Sequence, residues 1–503
     1  MRLLLPFAAT AAIALASTGL ASTGLASAGA ASAGAASAGA ASAGAASAGA
    51  AEALTAPGGI LATGSAAASP ADCAGAGVSD FNGDGLEDVA VGDLFANPGG
   101  LAGAGAAHVL FGRGESGKIV TVPETKAGDG FGWSVRLAKI DGDGCADLLV
   151  GAPYADVAGV EDAGAVYVVY GGPGGRTVRL VAPKPEADAH FGWSLTSGGT
   201  MVAVGAPHED ADGTADSGAV YLFDTATLGT GRRISQETEG VTGNGEAGDM
   251  FGWSLAIGRL GGAADEPDLA VGVPYENDDG AGRQVDAGKR DSGSITVIYD
   301  VREPKDEYGS RKWDLREVAR SETGDRFGYA MAYAERDDVG YLAVSAPLGD
   351  GGAVKDSGLV QLFQSSGTQA ITPLATLHQG SEGAPGEGYG FSLAFTGEGG
   401  GGEVRLAVGV PFDADGQGGV RLITMGEQGP GRLITQNGAG DHFGWSVGFS
   451  GNRLVAGAPD RGGAGAVVLL GRNDTEGVPL SPGTGGIPAL EGAASVDFGA
   501  SVG

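Results

Sequence analysis

The sequence is poor in basic residues. Its 503 residues include 30 Lys and Arg against 61 Asp and Glu, which gives a formal net charge of -31. A nucleic-acid-binding surface needs a basic stripe, so this charge argues against nucleic acid as a partner and disfavours anionic membranes. The excess of acid fits a soluble extracellular protein with affinity for cations, although solubility alone also explains it.

The sequence also lacks a long apolar segment after its N-terminal region. There, Arg2 precedes an apolar run over residues 3–16, and small residues follow. This pattern predicts a signal peptide over about residues 1–26, because the run is too short and too rich in alanine for a membrane span. We therefore expect no integral membrane span, and a protein that is either released or associated with the cell wall.

Cysteine is scarce, with Cys73 and Cys145 as the two occurrences. An even pair in a secreted chain predicts one disulfide, with two unpaired thiols as the alternative. In the chain-entropy model, closing a loop of this length contributes roughly 4 kcal/mol.

Aromatic residues make up only 6 % of the chain, whereas glycine occurs 98 times. This composition favours short strands joined by glycine-rich turns over helices. Residues 27–71 form a low-complexity Ala/Ser/Gly tract, which we interpret as a flexible linker, with an Ala-rich helix as the alternative for part of it. The folded domain is then expected over residues 72–503.

Two short phrases alternate along this domain with a period of roughly 50–75 residues, as in propellers and arrays. One is Phe-Gly-Trp-Ser or a variant. It starts at Phe131, Phe191, Phe251, Phe327, Tyr389 and Phe443. The other is an apolar run that closes in Gly-Ala-Pro or a variant. It ends at Pro153, Pro207, Pro274, Pro347, Pro411 and Pro459.

The two ends of the domain complement each other. The first unit has a second and a third strand but no Phe-Gly phrase before them, and the chain finishes with such a phrase at Phe498 and no strands after it. Together the ends make one unit of seven, and pairing them would remove the exposed sheet edges. We predict an all-β, seven-bladed β-propeller of four-stranded antiparallel blades. In its clearest unit the inner strand is expected at residues 131–137.

The alternating phrases resemble FG-GAP repeats, as in the N-terminal propeller of integrin α subunits. The resemblance covers nearly everything after Ala71. It implies a calcium-binding extracellular adhesion module whose partner is a protein or a cell-surface glycan. We expect a free-standing, secreted, monomeric propeller of bacterial origin.

The strongest chemical motif is the loop over residues 80–88. Oxygen-bearing residues alternate, as hard-ligand calcium loops require. The predicted ligand positions are Asp80, Asn82, Asp84, Leu86 and Asp88. An EF-hand would need Glu at its twelfth position, where this chain has Val91, but the resemblance implies a shorter calcium loop between the first two strands of a blade. An Asx-rich turn satisfied by its own backbone is the alternative.

The second unit carries a degraded copy of this loop. Asp141, Asp143 and Asp147 keep three ligand positions, so we extend the Ca²⁺ prediction to them. Lys139 occupies the first position, where its ammonium either neutralises the carboxylates or swings away.

Acidic loops follow the Gly-Ala-Pro phrases. Loops on a rigid scaffold often carry function, so we take these as candidate partner loops, with solvated loops as the alternative. The candidate residues are His208, Glu209, Asp210, Asp212, Glu276, Asp278 and Asp279.

A hydrolase of phospholipase or esterase type is the alternative function, and no catalytic residue is assigned. His208 with Asp210 and Asp212 is the one cluster that we nominate for it. Ser501 matches a Gly-x-Ser-x-Gly nucleophile pattern, but it occupies the repeat position of Ser134, in a predicted strand. The recurrent tryptophans are expected to pack between blades and not to stack on sugars.

Overall fold

The structure is a computed structural model, and the described residues all belong to the compact unit Pro70–Gly503. They are residues 73, 75–112, 116–172, 175–277, 288–396, 403–427, 429–436, 438–471, 477–490, 495 and 497–503. The predicted signal peptide and linker lie outside them. No helix within the described part of the chain is long and apolar enough to cross a membrane.

Seven antiparallel sheets form the blades of the propeller. Blade 1 contains β1 (Val89–Asp93), β2 (Ala106–Phe111) and β3 (Ser116–Val120). Blade 2 contains β4 (Val135–Ala138), β5 (Asp147–Ala152), β6 (Ala165–Val169) and β7 (Thr177–Leu180). Blade 3 contains β8 (Ser194–Gly198), β9 (Met201–Ala206), β10 (Ala219–Asp224) and β11 (Arg232–Ile234). Blade 4 contains β12 (Ser254–Gly258), β13 (Asp268–Val273), β14 (Ser294–Ile298) and β15 (Ser310–Asp314).

The remaining three blades have the same plan. Blade 5 contains β16 (Met331–Arg336), β17 (Val339–Ala346), β18 (Leu359–Ser366) and β19 (Gln369–Leu377). Blade 6 contains β20 (Leu393–Phe395), β21 (Arg405–Val410), β22 (Gly419–Thr424) and β23 (Arg432–Thr435). Blade 7 contains β24 (Val447–Ser450), β25 (Arg453–Ala458), β26 (Ala466–Leu470) and β27 (Gly477–Leu480). Helical turns occupy Pro98–Gly100, Ala211–Gly213, Leu315–Glu317, Gly380–Glu382, Asp413–Gly416 and Arg461–Gly463.

Within each blade the strands pair in chain order, so loops alternate between two faces of the disc. We call the face with the loops after the second strand and before the inner strand the upper face, and the opposite face the lower face. The second strands, such as β5, are buried along their whole length. Both of their faces pack against neighbouring blades, which explains their continuous apolar sequences.

The hydrophobic core consists of seven clusters, one at each junction between blades. In one cluster Ala90 and Val109 of blade 1 pack with Leu148 of blade 2. In the last one Val91 of blade 1 packs with Val455 and Val467 of blade 7. The first and last blades therefore meet through the same kind of core as sequential blades.

The C-terminal residues complete blade 1 as its inner strand. Val502 pairs antiparallel with Val91. The Ala90 and Gly92 N–H groups donate to the carbonyl oxygens of Gly503 and Ser501, both at 2.9 Å. This confirms the seven-bladed fold and the predicted pairing of the two half-units, and it removes the free edge of β1.

The Phe-Gly phrases lie just before the inner strands, so the predicted strand over residues 131–137 was misplaced at its start. Phe131 makes only an isolated parallel bridge with Gly105, and β4 begins at Val135. Gly132 has a φ of +101°, which interrupts regular strand geometry. The first aromatic ring of every phrase is fully buried. These rings belong to Phe131, Phe191, Phe251, Phe327, Tyr389, Phe443 and Phe498.

A belt of hydrogen bonds links the phrases around the ring. The serine of one phrase donates to the glycine carbonyl of the next: Ser134 to Gly192, Ser194 to Gly252, Ser254 to Gly328, Ser392 to Gly444, Ser446 to Gly499, and Ser501 to Gly132. A Cβ at Gly151, the glycine of Gly-Ala-Pro, would collide with the Gly192 carbonyl oxygen and Ser134 Oγ. The two phrases therefore constrain each other.

Blade 5 exchanges the two residues of this contact. Ala330 stands at the serine position and Ser345 at the glycine position, and the Ala330 N–H donates to Ser345 Oγ at 3.0 Å. The hydroxyl is thus kept within the contact although it comes from the other strand.

We predict that Ser134→Ala and Gly151→Ser, which reproduce the blade-5 pair in blade 2, have coupled effects on the free energy of unfolding. Gly151→Ser alone should destabilise by about 1–3 kcal/mol through overpacking, and Ser134→Ala alone by about 1 kcal/mol through the lost hydrogen bond. The double variant should lose less stability than the sum, because loss of the Ser134 hydroxyl removes one collision. Denaturant melts of the four proteins measure this coupling. Strict additivity would refute it. Gly151→Ser combined with Ser392→Ala, in blade 6, is the additive control, because these two sites share no contact.

Candidate functional site

The predicted calcium loop over residues 80–88 lies on the lower face. Asp80 accepts the N–H groups of Gly83 and Gly85, at 2.7 and 2.9 Å. The Asn82 side chain donates to Asp84 at 3.0 Å. The oxygen donors suit a hard cation such as Ca²⁺, but in this arrangement they bind the loop itself, as an Asx-rich turn does.

Asp88 has a structural role in this loop. It is 1 % exposed, and its carboxylate accepts the N–H groups of Phe81 at 2.9 Å and Gly112 at 2.8 Å. Burial raises the pKa of Asp88 to about 7. Asp147 is held in the same way by the N–H groups of Ile140 and Gly171, at 2.8 and 3.0 Å. Both carboxylates therefore fasten the lower-face loops of their blade together.

The second predicted loop is tied to the N-terminal segment. Cys73 and Cys145 form a disulfide, with Cα atoms 4.9 Å apart. Lys139 Nζ donates to the Ala76 carbonyl oxygen at 2.7 Å, so this ammonium turns away from the loop carboxylates. Asp141 and Asp143 stay at the surface of the loop, where Asp143 accepts the Cys145 N–H at 2.8 Å.

On the upper face, two of the candidate partner residues point inward. Glu209 is buried and accepts Tyr221 Oη at 2.7 Å and Arg233 Nε at 2.5 Å. Glu276 is also buried, 3.0 Å from Lys312 Nζ. These carboxylates are not presented to a partner, because each compensates a cation inside the fold.

The other candidate partner residues have different surroundings. Asp212 accepts Ser235 Oγ at 2.8 Å, and Asp210 accepts the Asp216 N–H at 3.0 Å. His208 is paired through Nδ1 with His190 Nδ1 at 3.1 Å, which is not the arrangement nominated for a hydrolase. Asp278 and Asp279 lie outside the described residues.

Aromatic side chains form an inner ring around the axis of the upper face. They come from the third position of successive phrases: Trp133, Trp193, Trp253, Tyr329, Phe391 and Trp445. Neighbouring centroids are 4.5 to 5.7 Å apart, from Trp133–Trp193 to Trp253–Tyr329. Ala500 occupies the seventh position. The tryptophans thus pack between blades and also line the axis.

An outer set of rings packs edge-on against this inner ring. Its members follow the Gly-Ala-Pro phrases: Tyr154, His208, Tyr275 and Phe412. Arg326 lies over the Tyr275 ring, 3.8 Å from its centroid, and pairs with Asp291 at 3.1 Å. Arg326 and Asp291 border a cavity of about 700 Å³ together with Glu246, Asp249 and Asn277.

The upper face also contains a cluster of potential metal ligands that the sequence analysis did not predict. Asp162, Asp188 and His190 offer ligand atoms that all lie within 4.8 Å of one another. Among the described residues, the other such group is Asp143 with Cys73 and Cys145, whose sulfurs are already bonded. Burial lowers the pKa of His190 and His208 to about 4, so both imidazoles are neutral at pH 7. Aligning the repeat units, rather than scanning for motifs, would have shown this cluster.

The fold and these phrases define a repeat-built seven-bladed β-propeller. Family models described as FG-GAP repeat match residues 131–169 and 175–223. The chain is an FG-GAP repeat protein with an integrin-like propeller.

Among curated proteins, integrin alpha-PS2 of Drosophila melanogaster is 32 % identical over 216 residues, which cover 40 % of this chain and 15 % of that protein. The human phosphatidylinositol-glycan-specific phospholipase D is 25 % identical over 239 residues, covering 43 % of this chain and 26 % of that enzyme. The chain thus spans well under two thirds of either relative. A putative 6-phosphogluconolactonase from Bacteroides uniformis superposes with 11 % identity and a TM-score of 0.47, covering 83 % of this chain and 98 % of that one. This structural similarity is too low to support a functional assignment.

Proposed function

We propose that the protein is an extracellular binding module that recognises a basic protein segment through its upper face. The double set of aromatic rings around the axis, in a chain of net charge -31, is the observation that carries this proposal. Trp193 and Trp253 are buried within the inner ring, whereas Trp133, Phe391 and Trp445 are partly exposed and accessible to a partner. Aromatic faces attract Lys and Arg side chains, and surrounding carboxylates steer a basic partner towards them. Partial similarity to integrin α chains supports an extracellular binding role.

The loops that border this surface differ between blades, whereas the belt beneath them repeats. Variable loops on a rigid scaffold are where binding sites usually lie. The upper face also contains the 700 Å³ cavity, whose lining combines carboxylates with Arg290 and Arg326. A partner is therefore expected to engage several blades at once, with the aromatic rings at the centre.

The experiment is a binding assay of the purified full chain against cell surfaces, extracellular matrix proteins and glycans, at low and high salt. We expect saturable binding to a protein, weakened by salt because charged rims are screened. Binding to glycans alone, or no binding to any of these surfaces, would contradict the proposal.

Paired charge variants should locate the binding face. Asp356→Asn with Asp460→Asn neutralises two half-exposed upper-face carboxylates, and Asn tolerates the positive φ of Asp356. This pair should slow association with the partner several-fold, since rim charges act mainly on the association rate. Asp337→Asn with Asp338→Asn makes the same charge change on the lower face and should have no effect. Surface plasmon resonance measures both, and equal effects would contradict an upper-face site.

We further propose that the loop over residues 80–88 binds Ca²⁺ and thereby stabilises the lower face. Asp80, Asn82, Asp84 and the Leu86 carbonyl would hold the ion, which would compensate the charge of the buried Asp80 and the exposed Asp84. Asp88 would support the loop from inside. The copy over residues 139–147 is a weaker candidate, because Lys139 replaces the first acidic ligand and the disulfide adjoins the loop.

Calcium should therefore raise the melting temperature of the full chain, and chelator should lower it, because an ion that binds only the folded state stabilises that state. Asp84→Asn should abolish most of this shift while keeping an acceptor for the Leu86 N–H. Differential scanning calorimetry with and without Ca²⁺ gives the result. Asp337→Asn is the control and should leave the shift unchanged. An equal calcium shift in Asp84→Asn and the unmodified chain would refute the assignment.

A further inference from the structure

The repeat supplies an internal reference for the cluster of Asp162, Asp188 and His190. In each blade junction, the segment before a Phe-Gly phrase runs beside the end of the preceding upper loop. His190 N–H donates to the Asp162 carbonyl at 3.3 Å, and the equivalent Met250 N–H donates to the Asp216 carbonyl at 3.1 Å. Because these backbone hydrogen bonds are equivalent, the residues that correspond to Asp162, Asp188 and His190 can be identified at the other junctions.

The other junctions place different side chains at the same three positions. Five of them hold Gly103, Gly128 and Gly130; Asp216, Gly248 and Met250; Asp291, Gly324 and Arg326; Asp356, Gly386 and Gly388; and Gly416, Gly440 and His442. The sixth, between blades 7 and 1, holds Gly463, Ser495 and Asp497. Of these described junctions, the one between blades 2 and 3 alone combines two carboxylates with an imidazole. Asp188 stands where five of the other six junctions have glycine and the sixth has Ser495.

Charge compensation also distinguishes this junction. At the third junction of the list, Arg326 neutralises Asp291 at 3.1 Å. Neither Asp162 nor Asp188 has an ion pair with a basic residue of the described chain, although Glu161 and Asp156 add further negative charge nearby. The position that a guanidinium fills two blades away is therefore suited to a bound cation.

The donor set indicates which cation fits. The three ligand atoms lie within 4.8 Å of one another, and His190 Nδ1 is 3.1 Å from His208 Nδ1. A histidine that ligates a metal is usually fixed by a hydrogen bond from its other ring nitrogen. In the tautomer in which His190 Nδ1 donates to His208 Nδ1, the Nε2 lone pair of His190 is available to a metal. One imidazole with two carboxylates suits a borderline ion such as Zn²⁺ better than Ca²⁺, which prefers oxygen ligands alone.

We propose that Asp162, Asp188 and His190 bind a divalent transition-metal ion, for which Zn²⁺ is the probe, and that His208 positions the His190 ring. The ion joins the upper loop of blade 2 to the segment that enters blade 3. His208 belongs to the upper loop of blade 3, so the site connects neighbouring blades beside the aromatic rings.

The test is a Zn²⁺ titration of tag-free, metal-stripped full chain by calorimetry, in excess Ca²⁺ to occupy oxygen-only sites. Asp188→Gly is the decisive variant, because five other junctions have glycine at this position and glycine readily adopts the positive φ of Asp188. We expect it, and His190→Ala, to lose one equivalent of bound Zn²⁺. His208→Ala should keep the site but weaken it by about 10–100-fold.

His442→Ala is the matched control, since His442 occupies the repeat position of His190 at a junction with glycines at the other two positions. It should bind Zn²⁺ as the unmodified chain does. A Zn²⁺-dependent rise in melting temperature that disappears in Asp188→Gly would be the second, independent readout. Equal Zn²⁺ stoichiometry and affinity in the unmodified chain, Asp188→Gly and His190→Ala would overturn the proposal.

Discussion

The pairing of the last residues of the chain with the first strand is the interaction on which the rest of the structure depends. It converts a linear array into a closed ring, in which every blade has two neighbours and blade 1 gains an inner strand like those of the other blades. The Ser501 hydroxyl then donates to the Gly132 carbonyl and joins the last phrase to the first, so that the belt is interrupted only at blade 5, where Ala330 replaces the serine. Without this closure, Val91 of blade 1 and Val455 of blade 7 would both be exposed to solvent.

In the closed ring, residues at the contacts between blades must repeat, whereas many residues of the upper loops can vary. Gly151 cannot carry a side chain because the next blade's backbone approaches too closely, and the buried Phe131 ring fills the gap between blades. The upper loops have this constraint only where they meet the next phrase, as at Gly164, where a Cβ would collide with the Phe191 backbone. At one set of equivalent positions they hold glycines, an Arg–Asp ion pair and the Asp–Asp–His cluster. The same backbone can thus support different chemistry at each junction.

The fold was predictable from sequence because close packing between blades requires particular residues, and these recur as the alternating Phe-Gly and Gly-Ala-Pro phrases. The two incomplete ends predicted the closure as well, since each held what the other lacked. The start of the inner strand was not predictable from apolar pattern, because the turn at Gly132 lies within an apolar phrase. Burial of Glu209 and Glu276 was also missed, since each depends on a cation from another strand, Arg233 or Lys312. Contacts distant in sequence likewise bring Asp162 to His190.

Hydrogen exchange of blade 1 tests the closure most directly. In the full chain the Ala90 and Gly92 amides donate to Gly503 and Ser501 and should be protected. In a chain that lacks residues 498–503, these two amides should lose protection, while those of Val89 and Val91, which lie on the β2 side, lose less. The melting temperature should fall as well. Unchanged protection and melting in the shortened chain would contradict the account.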